Sequence, residues 1–311
     1  MERGLSHTAI TNSSEISPVN LLRENASSVS LRDRISNIVL LRKVRRRGLA
    51  HICILALLVI TLLCFVGPLF TEAPNSTAFG PLEAPSLSHP MGTDSLGRDQ
   101  LARVFAGGQV SLIVGAVVAA LCLTIAIAIG CLSGYFGGWA DTILMRIAEI
   151  FQVVPAVILA LVAVALLGSS LSLIILILAA TTWPQVARIV RAETLKVRQL
   201  GYVESAKAIG FGPLHILWSD VLPNIFPPVL VATTMTAGRA ILLESGLAFL
   251  GLGDANQPSW GALLYSAQTH IRTAWWLTLY PGAAIFIVVL AINLLGDIWN
   301  DHLNPMLERV K

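Results

Sequence analysis

The sequence predicts an all-α polytopic membrane protein with about six transmembrane helices. Hydrophobic residues make up 55% of the 311 residues and charged residues only 13%, and the mean hydropathy is +0.74. Soluble domains carry roughly a quarter of charged residues, so this composition lies far outside their range. Six apolar stretches, each near the roughly 20 residues that cross a hydrocarbon core, supply the candidate spans. The net charge of +3 is too small to indicate a nucleic-acid partner.

The predicted elements follow in order along the chain. Residues 1–48 are rich in Ser, Asn and Arg and are expected to form a cytoplasmic tail. The first transmembrane helix is expected over 49–71, and its long polar leader without a small-residue cleavage site argues against a signal peptide. An extracytoplasmic loop is expected at 72–108, a five-helix core at 109–300 and a cytoplasmic tail at 301–311. The candidate spans are approximately Leu49–Phe70, Val110–Leu132, Ile143–Leu167, Leu171–Val190, Ile225–Phe249 and Leu277–Trp299.

Basic residues predict the orientation of these spans, because Lys and Arg accumulate in cytoplasmic loops. One basic cluster precedes the first span, and another follows the fourth span, where alternation also places the chain inside. With six crossings, both the N- and C-termini are expected in the cytoplasm. The two clusters consist of Arg42, Lys43, Arg45, Arg46 and Arg47, and of Arg188, Arg191, Lys196, Arg198 and Lys207.

A polar segment between the fourth and fifth spans interrupts the apolar pattern. It reads Glu204-Ser205-Ala206-Lys207-Ala208-Ile209-Gly210 and continues to Val221-Leu222-Pro223-Asn224. Gly210 permits a sharp bend, and Pro223 marks the end of a second short helix. The pattern predicts a compact helix–bend–helix on the cytoplasmic side, although a loop of any membrane protein could contain such a hairpin.

The predicted outer loop contains a run of turn formers and opposed charges, His89–Asp99, which indicates a folded segment. A metal site there is not favoured. His89 is followed by proline, no second histidine is near, and Asp99 has Arg98 and Arg103 as closer partners in sequence.

Polar residues inside the spans indicate a transport path, because ionisable groups in membranes are rare and usually functional. Arg239 lies deep in the fifth span, with Thr236 before it and Glu244 after it, and Asn293 belongs to the sixth span. These four residues form the candidate cavity or substrate path. Arg239 could select a substrate group such as a carboxylate, or it could form a structural pair with Glu244.

Two further features of the spans each leave two interpretations open. Arg146 near the inner end of the third span is expected to pair with Glu149 or Asp141, although a functional polar face is also possible. Pro155 and Pro184 interrupt the third and fourth spans and predict bends that line a path or serve packing.

Catalytic motifs are missing from the sequence. No phosphate-binding G-x-x-x-x-G-K-[ST] loop occurs, and the glycine-rich stretch Gly130 to Gly138 lacks its lysine. There is no HExxH or GxSxG, and the glycine–aspartate pair ending at Asp254 lacks the second carboxylate of an aspartyl protease. We therefore expect a non-catalytic subunit that holds no cofactor or metal of its own. An ion-coupled secondary transporter is the alternative, although no half-to-half similarity supports it.

Four stretches of the sequence, in a specific order, resemble the permease subunits of bacterial ABC importers for dipeptides, oligopeptides or nickel. The resemblance is to the second of the two permease types and covers residues 89 to about 300. The four stretches are His89 to Asp99; Gly134 to Trp139 with Asp141 and Arg146; Ala187-Arg188 through Glu204 to Leu222-Pro223-Asn224; and Glu244 through Gly253, Pro258 to Gly261 and Asn293 to Asp297.

This resemblance implies a type I ABC importer permease bundle with a cytoplasmic coupling helix, in a bacterial inner membrane. The coupling region, residues 201–223, would dock on one or two separate ABC ATPase subunits, which bind ATP and Mg²⁺. The residues that match the coupling motif are Glu204, Ser205, Ala206, Gly210, Leu222 and Pro223. A second homologous permease and an extracytoplasmic solute-binding protein are the other implied partners, and short peptides are the implied cargo.

Overall fold

The computed structural model describes residues 48–254 and 256–303. The predicted cytoplasmic tails, residues 1–48 and 301–311, lie almost entirely outside these described residues. The described residues from Ala50 onwards form one compact unit. The described part of the chain contains helices and a single isolated bridge between Thr93 and Asp99, so the all-α class is confirmed.

The helices of the described chain have the following bounds. The first, α1, lies within Gly48–Leu69 and ends in a 3₁₀ turn. The others are α2 Gln100–Phe136, α3 Gly138–Val153, α4 Ala156–Leu167, α5 Leu171–Arg198, α6 Gly201–Ala208, α7 Pro213–Ile216, α8 Leu222–Leu247, α9 Trp260–Ala267 and α10 Trp276–Leu303. Two π-helical stretches, Leu217–Val221 and Ala248–Leu252, lie on either side of α8.

Five of the predicted spans are continuous helices long and apolar enough to cross a membrane, and the third is broken. Its two halves, α3 and α4, are bent by 73° at Val154 and Pro155. Proline lacks an amide hydrogen and disfavours helical backbone in the residue before it, which explains the break. Pro184, in contrast, stays inside the continuous helix α5.

Helix α2 begins earlier than the predicted second span. The side chain of Asp99 accepts hydrogen bonds from the amides of Leu101 and Ala102 and so caps the helix at Gln100. Residues 100–108 of the predicted outer loop are therefore helical, and α2 extends over 37 residues. At 1.5 Å per residue its length is about 55 Å, well beyond the roughly 30 Å of a hydrocarbon core.

The core consists of α2, α5 and α8, and glycines allow these helices to approach closely. A Cβ atom on Gly130 of α2 would lie 2.6 Å from Cβ of Val190 and 2.7 Å from the carbonyl oxygen of Ala187, both on α5. A Cβ atom on Gly115 would lie 2.6 Å from the side chain of Ile241 on α8. Small residues at such contacts bring two membrane helices into direct backbone contact.

Candidate functional site

The coupling region has the helix–bend–helix shape that its sequence predicts. Helix α6 ends beside Gly210, whose φ of +95° is accessible to glycine at little cost. The amide of Gly210 donates to the carbonyl of Lys207 at 3.0 Å, and the amide of Phe211 donates to Ala206 at 3.1 Å. The chain thereby reverses before α7 begins at Pro213.

The base of the coupling region is fixed to the bundle. The side chains of Val203, Ile216 and Val221 are fully buried in the main hydrophobic core. At the end of α5, Arg198 donates to the last carbonyls of α2, at 2.8 Å for Tyr135 and 3.3 Å for Gly134. The Lys207 ammonium lies 5.5 Å from the centre of the Tyr135 ring, within cation–π range. These contacts join the base of the coupling region to α2 and α5.

The opposite face of the coupling region is apolar and exposed. Ile209 is 77% exposed and Leu214 is 62% exposed, and the Phe211 and His215 rings stack at 4.9 Å between their centroids. Tyr202 and Trp218 are exposed as well. An exposed apolar surface on a fixed base is typical of a protein–protein contact site.

The residues that match the coupling motif lie at different depths in this region. Glu204 and Ser205 are exposed, and the Ser205 hydroxyl donates to the carbonyl of Gly201 at 2.9 Å. Ala206 is half-buried and Gly210 is exposed at the bend. Leu222 and Pro223 belong to the first turn of α8 rather than to the exposed end of the hairpin.

A cavity of about 400 Å³ lies between α5, α8 and α10, and three of the four predicted path residues line it. Arg239 donates through Nη1 to Oε1 of Gln185 on α5. The Thr236 hydroxyl donates to Ala232 at 2.9 Å, and Nδ2 of Asn293 donates to Val289 at 2.9 Å. The remaining lining is apolar and consists of Val186, Ile189, Ala232, Met235, Leu242 and Val289.

Glu244, the fourth predicted residue, lies away from this cavity. Its side chain is 1% exposed and accepts hydrogen bonds of 3.4 Å from Ser111 on α2 and from Ser245. Five residues along a helix separate two side chains by about 140°, so Arg239 and Glu244 point to different sides of α8. The alternative that the two form a structural pair is therefore wrong.

Gln185 is the cavity residue that the sequence analysis missed. It follows Pro184 within an apolar span, and a carboxamide in such a position is itself a signal of a polar partner. Its partner Arg239 lies 54 residues further along the chain, on another helix.

Ion pairs involve α3 and the C-terminal part of α5. Arg146 pairs with Glu149 at 2.9 Å on the exposed surface of α3. Glu149 is one of the two partners that the sequence predicts for it. Asp141 instead accepts two hydrogen bonds of 2.5 Å from Arg191 and a further one from Ser133. The bidentate geometry joins α3 to α5.

The segment before α2, residues 70–99, forms a second candidate contact surface and is called the cap segment below. Its buried Asp94 accepts hydrogen bonds from the amides of Leu96 at 2.8 Å and Arg98 at 2.9 Å. The same carboxylate pairs with the Arg98 and Arg103 guanidinium groups. The sequence analysis assigned both arginines to Asp99; this is wrong, because Asp99 caps α2.

The charge of Asp94 is stabilised in the folded protein. Burial alone raises the pKa of a carboxyl group, but the amide of Arg98, the charge of Arg103, the amide of Leu96 and the Arg98 side chain outweigh it and lower the pKa of Asp94. The cap segment is also tied to α10, because the indole of Trp276 donates to the carbonyl of Thr93 at 3.1 Å. Within residues 48–254 and 256–303, no three His, Cys, Asp or Glu side chains come together as a possible metal site.

A family model and several relatives with known names match this chain. The family model described as "Binding-protein-dependent transport system inner membrane component" matches residues 126–309. A putative peptide transport system permease protein of Brucella suis is 38% identical over 270 residues, which cover 86% of this chain and 91% of that protein. A probable D,D-dipeptide transport system permease protein of Escherichia coli K12 is 38% identical over 255 residues, with 81% and 85% covered.

Two further similarities extend this set. A glutathione transport system permease protein of Pectobacterium atrosepticum is 39% identical over 227 residues, which cover 73% of this chain and 75% of that protein. Among solved structures, the MetNI methionine ABC transporter in an inward-facing conformation matches with a TM-score of 0.52 and 22% identity. The match covers 61% of this chain and 91% of the MetNI chain, and it shows a shared fold.

Proposed function

Since the chain belongs to the family of binding-protein-dependent transport system inner membrane components, we propose that it forms the translocation path for short peptides or similar small solutes together with a second homologous permease. It is a multi-pass inner membrane protein and the permease subunit of an ABC importer. The family is defined by binding-protein-dependent systems, so the ion-coupled secondary transporter considered above is not supported.

The exposed apolar face of the coupling region carries this proposal. A rigid element docked in a groove of an ATPase subunit converts the closure of that subunit into motion of the membrane helices. The coupling region offers a buried base joined to α2 and α5, and apolar side chains such as Ile209 and Leu214 for the groove. Docking residues in this proposal include Glu204, Ser205, Ala206 and Gly210, with Leu222 and Pro223 supporting the start of α8.

The energy for transport comes from the partner in this proposal. The sequence holds no phosphate-binding loop, so ATP and Mg²⁺ are bound by one or two ABC ATPase subunits. The coupling region and both termini face the cytoplasm, and the cap segment faces outwards. An extracytoplasmic solute-binding protein delivers the solute on the side of the cap segment.

The solute path runs through the cavity between α5, α8 and α10. Arg239, Thr236 and Asn293 supply its polar lining. Arg239 and Leu242 are exposed on the surface of the single chain, so the cavity is open there, and the second permease closes it in the assembled importer. Glu244 lies outside the cavity and stabilises the packing of α8 against α2 through its hydrogen bond with Ser111.

Replacement of one exposed leucine tests the docking proposal. We expect Leu214→Ser to release the ATPase subunits from the purified complex and to abolish solute-stimulated ATP hydrolysis, because it removes an apolar contact from the docking face. Leu87→Ser is the matched control for retention of the ATPase, since Leu87 is an exposed leucine of the cap segment, on the opposite side of the membrane in this proposal. Retention of the ATPase by Leu214→Ser, measured by co-purification at wild-type stoichiometry, would contradict the docking role.

A further inference from the structure

Arg239 is a cation in the middle of a membrane span, and it has no carboxylate partner among the described residues. It lies about 25 Å along α8 from Leu222. At this depth its side chain cannot extend to the aqueous interface, as arginines near helix ends do. None of the Asp and Glu side chains in the described chain forms an ion pair with it, and its hydrogen-bond partner is the neutral amide of Gln185. A charge at such a depth is costly and marks a functional site.

Several hydrogen-bond donors around Arg239 have no acceptor among the described residues and are free for an anion. A guanidinium has five N–H donors, and the contact with Gln185 is the one that Arg239 makes among the described residues. Because Gln185 accepts through Oε1, its amide nitrogen keeps both hydrogens for another acceptor. Nδ2 of Asn293 uses one hydrogen for the carbonyl of Val289 and retains the second. A carboxylate can accept from several such donors at once, and arginine binds it in a bidentate manner.

The cavity also limits the size and the polarity of what can bind. Its volume of about 400 Å³ lies in the range of pockets that hold small organic ligands. Beyond the polar side, its lining is aliphatic, with Val186, Ile189 and Leu242 as examples. A small solute with a free carboxylate and short aliphatic side chains fits this division.

We propose that Arg239, Gln185 and Asn293 form a carboxylate-binding subsite of the translocation path, which favours solutes with a free carboxylate. This assignment rests on the proposed function, because the cavity must be part of the path. Arg239 supplies the charge that draws the carboxylate into the cavity, and Gln185 holds the guanidinium in place through its amide oxygen. A carboxylate of the second permease is the competing occupant, and the experiment below separates the two.

Chemical protection of Arg239 in the purified importer complex tests the subsite directly. The arginine reagent phenylglyoxal modifies accessible guanidinium groups, and mass spectrometry reports each modified residue. Dialanine, which has a free carboxylate, is expected to slow the modification of Arg239 severalfold. Dialanine amide at the same concentration is expected to leave the rate unchanged. Arg146 is the internal control, because it is exposed and paired with Glu149 outside the cavity.

Uptake by variants of the complex provides a second measurement. Arg239→Gln is expected to lower dialanine uptake about tenfold, as for the loss of a hydrogen bond to a charged group. Arg239→Lys keeps the charge and is expected to retain intermediate uptake. Arg146→Gln, the matched control, is expected to leave uptake unchanged. All three variants should keep the second permease and the ATPase subunits bound.

Each outcome has a distinct meaning. Equal protection by dialanine and its amide, or no protection by either, overturns the carboxylate subsite. Loss of the second permease from Arg239→Gln also overturns it, and assigns Arg239 to the contact between the permeases. Protection by dialanine in a wild-type complex that takes up neither dialanine nor glutathione contradicts the peptide cargo of the proposed function, while the subsite stands.

Discussion

A single carboxylate holds the cap segment together. Asp94 is buried, accepts two backbone amides and pairs with Arg98 and Arg103, so it links the loop to the first turn of α2. Removing one member of a buried charge network leaves the others without compensation, and this is costly. The Nε atom of Arg103 has no hydrogen-bond partner among the described residues, so the buried guanidinium depends on the contact between its Nη1 atom and Asp94.

We expect Asp94→Asn to destabilise the cap segment by about 3 kcal/mol at neutral pH. The pKa of Asp94 is lowered on folding, so its contribution is complete above the unfolded pKa of about 4 and is lost as the pH falls through the folded value. Acidification should therefore loosen the wild-type segment and leave the variant unchanged. Hydrogen exchange of residues 70–99, corrected for the intrinsic rate, measures both effects.

The control for this prediction is Glu72→Gln, which removes an exposed carboxylate from the same segment. We expect wild-type exchange at every pH in this variant. Exchange in Asp94→Asn that matches the wild type at neutral pH would show that Asp94 does not stabilise the segment.

For individual residues, the sequence predicts which side chains share the cavity but not which side chains they contact. Arg239, Thr236 and Asn293 could be predicted to share a cavity because polar residues in apolar spans turn away from lipid. Gln185 as the partner of Arg239, and Ser111 as the partner of Glu244, could not be predicted. Both contacts depend on the rotation of one helix against another, which the pattern of a single helix does not determine.

At the scale of elements, the coupling region depends on one backbone angle. Gly210 has a φ of +95°, whereas Gly212, two residues on, has a φ of −65°. A Cβ atom would meet no other atom within 4 Å at either position. The two glycines therefore differ in backbone strain and not in space.

We expect Gly210→Ala to reduce solute uptake at an unchanged rate of basal ATP hydrolysis, because a side chain at positive φ costs about 1–2 kcal/mol and shifts the bend. Gly212→Ala is the matched control and should transport like the wild type. Uptake and ATP hydrolysis, measured together in proteoliposomes, give the coupling ratio. Equal ratios in the two variants would contradict a role of the bend in coupling.

Local sequence signals predict where helices begin and break, but they do not predict the angles between helices. The beginning of α2 at Gln100 could have been read from Asp99, since aspartate is a strong N-cap residue. Pro155 correctly indicated an interruption of the third span. The angle of 73° between α3 and α4 depends on how each half packs against its neighbours, so it was not available from the sequence.

At the scale of the whole molecule, the hydropathy of the sequence predicts the fold class. The number of membrane crossings depends on whether α3 and α4 together make one crossing. If this bent pair makes one crossing, the described part of the chain crosses six times, and residues 48 and 303 lie on the same side of the membrane. The basic residues before α1, and those in the C-terminal part of α5 and in α6, predict that this side is the cytoplasm. This orientation stays a prediction, and cysteine labelling tests it.

In cells that express this chain without the ATPase subunits, we expect a cysteine at position 87 to react with a membrane-impermeant maleimide on intact spheroplasts. A cysteine at position 214 is expected to react only after the membrane is opened. Leu87→Cys and Leu214→Cys both replace exposed leucines, so access to the reagent decides the result. The native Cys53, Cys64, Cys122 and Cys131 are buried and provide a low background. The reverse pattern would contradict the proposed orientation.

Helix α2 has a consequence for how the subunits of such an importer communicate. Its first turn holds the cap segment through Arg103, and its last carbonyls hold the end of α5, next to the coupling region, through Arg198. The two surfaces proposed for docking are thus attached to opposite ends of one continuous helix. In the proposed importer, docking of the solute-binding protein and closure of the ATPase would therefore act on opposite ends of the same helix.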